Sequence, residues 1–158
     1  HIVEALSKSK DIHLVAIGRK TEYFNNVSKA LEKHKLCDRF HYLDGVPFQE
    51  FPAIYQMAEI FIYPSSYEGF GIPIIEAMAS GIPVITYDTA GTREAAGEAA
   101  VYCKPGQTEN MADIINKLMN DAGFKKSQLE KANQHIRQFA DEQIASRLGS
   151  VYKKTMEQ

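Results

Sequence analysis

The sequence predicts an α/β fold: an open, Rossmann-like parallel sheet in three layers, closed by C-terminal helices. Three observations carry that expectation. Short apolar runs alternate with stretches of helical periodicity. Two of those runs, 12–17 and 60–64, are apolar at nearly every position, as strands covered on both faces are. Beyond Gly106 the pattern is helical only.

In chain order, Ile2, Val3, Ala5 and Leu6 fit one face of a short helix. The run 12–17 follows as a strand buried on both sides and ends at Gly18. Thr21 is placed to cap the next helix, with Glu22 in its first turn and Phe24, Val27 and Leu31 on one face. Residues 40–43 form a strand closed by Asp44 and Gly45. Residues 47–58 read as a short helix with Phe51, Ile54 and Tyr55 inward. The strand 60–64 leads into SSYEGFGIPIIEAMASGIPV, whose helix stops at Ser80 and Gly81.

Residues 84–87 are the next strand, 91–96 one or two helical turns, and 100–102 a last strand. Thr108 then caps a helix with Met111, Ile114, Ile115, Leu118 and Met119 in one stripe. A polar helix covers 125–139, and a last one carries Ile144, Leu148, Val151 and Tyr152 on one face. The chain opens on a helix, so the first strand of a β-α-β unit is expected upstream of His1.

Composition narrows the function classes. With 158 residues, 44% hydrophobic and 24% charged, the chain suits one folded domain. A net charge of -2 gives no electrostatic reason to expect nucleic acid as a partner. Cys37 and Cys103 stand far apart without a Cys-x-x-Cys, so they read as core thiols rather than metal ligands. The histidines show no metal-ligand spacing. No P-loop is present, and Ile74 occupies the place where Gly69-x-Gly71 would need a third glycine to make a dinucleotide fingerprint.

A parallel sheet binds ligands at the carboxyl ends of its strands. There the glutamate stretch is the informative one. Gly69 and Gly71 allow close backbone approach and positive φ. Pro73 suits a first helical turn, so the N–H groups opening that helix face the cleft and suit a phosphate. Glu76, just inside the helix, can accept two adjacent ribose hydroxyls. Glu68, on the turn, can reach a sugar hydroxyl or stabilise positive charge. Taken singly, each also reads as a cap or a dipole partner. Their combination with the glycines favours a ligand. Ser65 and Ser66 can donate to that ligand or cap the turn.

The stretch resembles the signature of the retaining family 4 (group 1) glycosyltransferases, which have the two-domain GT-B fold. Glu68 and Glu76 keep that family's spacing of two glutamates with seven residues between. Gly69, Phe70, Gly71, Ile72, Pro73, Ala77, Met78, Ala79, Gly81, Pro83 and Val84 also fit. The resemblance covers nearly the whole chain. It implies a single nucleotide-sugar-binding C-terminal domain over 1–158, with 107–158 as a helical tail and the acceptor domain outside the chain.

By that resemblance Glu68 is the candidate catalytic residue beside the donor sugar, and Glu76 binds the ribose. The amides of Gly69, Phe70, Gly71 and Ile72 face sugar and diphosphate, and the Val46 backbone brackets the base. Gly91 matches a family glycine turn loosely, ahead of Glu94. The family's phosphate-binding Arg and Lys belong after the strand expected upstream. Arg19 and Lys20 therefore read as solvated charges.

The implied activity is sugar transfer from a nucleoside diphosphate to an acceptor such as a glycan or lipid-linked glycan. No cofactor and no required metal are expected. Full-length enzyme is expected in the cytoplasm, with peripheral association at the inner membrane face as an extension. This chain alone is expected to bind nucleotide weakly and transfer nothing. The alternatives are a GT-B-like nucleotide-sugar-binding or epimerase domain without transfer. A glycoside hydrolase also uses two carboxylates but needs no diphosphate site.

Overall fold

The computed structural model describes residues 1–156. Strands and helices alternate from α1 (Ile2–Ser7) and β1 (Leu14–Ile17) through α2 (Phe24–His34), β2 (Phe40–Leu43), α3 (Phe51–Met57) and β3 (Phe61–Tyr63). Then come α4 (Ile72–Ala79), β4 (Val84–Tyr87), α5 (Ala90–Ala96) and β5 (Val101–Cys103). Three helices close the chain: α6 (Thr108–Asn120), α7 (Ala122–Ile136) and α8 (Asp141–Met156). All strand pairings are parallel, as expected for helices crossing between them.

The layering is clearest at β4, which is buried along its whole length. Val84 packs with Ile74, Ala77 and Met78 of α4, Ala95 of α5 and Ala132 of α7. The next residue, Ile85, faces the opposite way, into Ala5, Met111, Ile115 and Leu118 of α1 and α6. The two-residue period of a strand thus feeds two helical layers. A third cluster joins Val3, Leu6, Leu31 and Leu36 beneath β1 and β2.

The hydrogen-bonded sheet comes in two pieces, β1-β2 and β3-β4-β5. Among the described residues neither β1 nor β3 has a strand partner on its other side. A seam thus separates the two pieces. Helix α1 spans it, packing on both α2 and α6.

Several local expectations are corrected. Strand β1 is covered on one face only: Val15 and Ile17 are 47% and 37% exposed, because no helix among the described residues packs over that side. His13 and His41 share the bare face, their rings stacked with Nδ1 and Nε2 2.9 Å apart. Thr21 does not cap α2. Its carbonyl accepts from the Phe24 N–H in a backbone turn, and the helix starts after Tyr23 with no acid in its first turn.

Helix α6 is preceded by Gln107 at the cap position, and the Thr108 hydroxyl instead donates to Glu4 of α1. Strand β5 runs one residue later than expected. Helix α5 is fixed by a capping box between Thr89 and Thr92. Ile144, Leu148, Val151 and Tyr152 all lie exposed on α8.

Candidate functional site

Strand β3 delivers the chain to a turn, 64–71, and the turn opens into α4. Gly71 is the N-cap with φ +100°, a conformation that an L side chain resists. An added Cβ there would also press on Ile74 at 3.2 Å. Ile72 and Pro73 begin the helix, the proline at a position that lacks an intrahelical acceptor anyway. Among the described residues, the amides of Gly69, Phe70, Gly71 and Ile72 donate no hydrogen bond. Four neighbouring free donors at a helix mouth form a site for anionic oxygens.

The two glutamates are each held by a tyrosine. Tyr63, the last residue of β3, donates from its hydroxyl to Glu68 Oε1 at 2.6 Å. Tyr55, on α3, donates to Glu76 Oε2 at 3.1 Å. Both carboxylates are half-buried. The Tyr63 bond holds the Glu68 carboxyl below its ordinary value. Burial, and then the same bond, pushes the Tyr63 phenol up to about 12. Burial and the Glu76 contact push Tyr55 upward as well. At neutral pH the phenols are therefore donors and the Glu68 carboxylate is ionised.

An aromatic row sets these phenols. Phe61 of β3 lies between them, 5.3 Å from the Tyr55 ring centroid and 5.9 Å from that of Tyr63. Phe51 extends the row from the far side of Tyr55. Behind the turn, Phe70 meets Phe139 edge-on at 5.8 Å. Phe139 in turn meets His135, whose Nε2–H donates to the Ala95 carbonyl at 2.8 Å. Gly91, near the start of α5, abuts the backbone of Glu68 so closely that a Cβ would overlap its carbonyl.

Glu68, Gly69, Phe70, Gly71, Ile72 and Glu76 are thus gathered in one β3–α4 unit. Val46 lies apart from it in sequence and sheet. It follows Gly45 (φ +66°) at the carboxyl end of β2, and its N–H and C=O make no hydrogen bond among the described residues. Ser65 caps the turn by donating to the Tyr67 carbonyl at 3.1 Å. Glu94 is exposed and unpartnered among the described residues. Glu76 sits in the second turn of α4 rather than the first.

Arg19 and Lys20 are exposed, and Lys20 lies over the rings of Phe24 and Tyr42 at 4.9 and 5.3 Å. Arg93 is held by Asp88 through two nitrogens. No group of metal-ligating side chains occurs among the described residues. No helix there is long and apolar enough to cross a membrane.

Sequence reasoning placed the glutamates and the glycines but missed the tyrosine partners. By sequence Tyr63 is only part of the apolar run 60–64, and Tyr55 only an inward residue of the helix 47–58. A period-two pattern puts Phe61 and Tyr63 on one face of β3, which was a usable signal. Nothing local links Tyr55 to a glutamate 21 residues later.

Comparison with known proteins gives a consistent family. The family model described as Glycosyl transferases group 1 matches residues 1–139. O-antigen chain mannosyltransferase B of Escherichia coli is 31% identical over 112 residues, 71% of this chain and 29% of its own length. D-inositol 3-phosphate glycosyltransferase of Corynebacterium aurimucosum is 30% identical over 135 residues, 84% of this chain and 31% of its own. The chain thus spans about three tenths of the length of these relatives. Among solved structures, Anabaena Alr3699/HepE in complex with UDP superposes with a TM-score of 0.82 at 22% identity. That match covers 94% of this chain and 44% of the other. HepE has also been solved with UDP-glucose. At this identity the likeness establishes the fold, one half of a GT-B architecture.

Proposed function

The chain belongs to the group 1 glycosyl transferases, and on that footing we propose that it is the donor-binding part of a retaining transferase. The observation that carries this reading is the run of free amides at Gly69, Phe70, Gly71 and Ile72, flanked by Glu68 and Glu76. A nucleoside diphosphate sugar presents matching groups in matching order. Its diphosphate takes the amides, its ribose diol takes Glu76, and its sugar hydroxyls take Glu68. The Val46 backbone is then the contact for the base.

In transfer, negative charge develops on the leaving diphosphate as its bond to the sugar breaks. Fixed N–H dipoles aimed there stabilise that charge without reorganising during the reaction. Glu68 orients the sugar and stabilises positive charge at its anomeric carbon. No step is assigned to a metal. The acceptor, a glycan or lipid-linked glycan, is contributed to a second domain, and the complete enzyme works in the cytoplasm or at the inner membrane face. Transfer, rather than binding alone or epimerisation, is supported by relatives that are glycosyltransferases.

Thermal shift with UDP, GDP and ADP, alone and sugar-linked, tests the binding half of this reading. A ligand at 100 times its Kd adds ~2.7 kcal/mol, roughly a few degrees in a domain of this size. Glu76→Ala is expected to abolish the shift. An undiminished shift in that variant would remove Glu76 from the site.

A further inference from the structure

We propose that Tyr55 and Tyr63 are positioning residues: each phenol occupies one oxygen of its glutamate and so fixes which oxygen meets the donor. The proposal rests on the nucleotide-sugar reading above and adds the groups that make it selective. Tyr55 donates to Glu76 Oε2, leaving Oε1 for ribose, and Tyr63 donates to Glu68 Oε1, leaving Oε2 for the sugar. A carboxylate on a free side chain rotates about its last bond and can offer either oxygen. A phenol anchored in a packed row removes that freedom before the ligand arrives, which lowers the ordering cost of binding.

The anchors are themselves well fixed. Phe61 separates the two rings and touches both. Tyr55, Phe61 and Tyr63 all pack on the core built around α4, the helix that bears Glu76. The Tyr63 carbonyl accepts from the buried Thr86 hydroxyl at 2.8 Å, which pins the end of β3 to β4. At the other glutamate, the Ser80 hydroxyl donates to the Glu76 carbonyl at 2.8 Å and steadies the last turn of α4. The two glutamates therefore have separate donors that share one aromatic support. The two functions, ribose recognition and sugar orientation, should come apart when one phenol is removed.

The experiment compares wild type, Tyr55→Phe and Tyr63→Phe by calorimetry. Its probes are UDP, GDP and ADP, their 2′,3′-dideoxy forms, and UDP-glucose, GDP-mannose and ADP-glucose. Both variants keep the ring and lose only the hydroxyl.

Wild type should prefer the ribonucleotide of its cognate base by about tenfold or more, the discrimination one charged hydrogen bond supplies. Tyr55→Phe should bring that ratio close to one and leave the gain from an attached sugar unchanged. Tyr63→Phe should do the reverse. A Tyr55→Phe ratio equal to that of wild type overturns the proposal while nucleotide binding stands. A wild type that ignores the ribose hydroxyls overturns the underlying site reading instead. Should Tyr55→Phe lose its fold, the NMR signals of the Tyr55 ring in wild type decide. They should shift with the ribonucleotide and not with its dideoxy form, and equal shifts with both would overturn the proposal.

Discussion

Glu68 and Tyr63 form a pair whose two members titrate in opposite senses. The Tyr63 phenol is pushed from its ordinary 10.0 to about 12. A phenol that resists ionisation in the fold contributes stability that is whole below 10.0 and is lost as pH rises through about 12. The Glu68 carboxyl, lowered from 4.5, contributes above that value and loses its share as pH falls through the folded value. Tyr63→Phe removes the phenol's contribution and the larger part of the carboxyl's, leaving the part that Ser65 supplies. Chemical denaturation should therefore show wild type ahead of the variant by a constant margin between about pH 6 and pH 9. The margin should narrow above about pH 10. A margin flat to about pH 12 would show that the phenol is not held. At this scale the sequence was informative about residue type and spacing. Gly69, Gly71 and the glutamates announce themselves by backbone freedom and charge, whereas Tyr55 reaches Glu76 only through tertiary packing of α3 on α4.

Between elements, the tightest fit is α5 against the turn that carries Glu68. Gly91 leaves no room for a Cβ, whose nearest neighbours would be the Glu68 carbonyl oxygen and, at 3.0 Å, its carbon. Because both are backbone atoms, neither can swing aside. Gly91→Ala should destabilise the fold by about 1–3 kcal/mol, the usual cost of overpacking, and weaken donor binding by displacing the turn. Urea denaturation and calorimetry would check the two effects. A variant equal to wild type in both would mean that the turn yields freely.

The elements themselves were mostly legible. Strand β4 was read to the residue, and α4 stops at Ser80 with Gly81 at φ +80°, as glycine chemistry requires. The start of α2 was misread because the Thr21 backbone, not its hydroxyl, makes the turn. The two-sided burial of β1 was misread because an apolar residue does not reveal whether a neighbour exists to cover it. Val15 and Ile17 have none on their side among the described residues.

Across the whole molecule, protection should follow the layers. Strand β4 has partners on both edges and helices on both faces. Among the described residues the β1-β2 pair has one bare face and two strands, an arrangement of marginal stability by itself. Amide hydrogen exchange should therefore open 14–17 and 40–43 well before 84–87. Equal rates would mean that α1 couples the two pieces into one cooperative unit. The seam between β1 and β3 has another consequence. Peptide groups that lack a mate on a strand edge recruit strands from other molecules. Among the described residues β1 and β3 each keep one such edge unpaired, so a strand brought to the seam would meet two rows of waiting donors and acceptors.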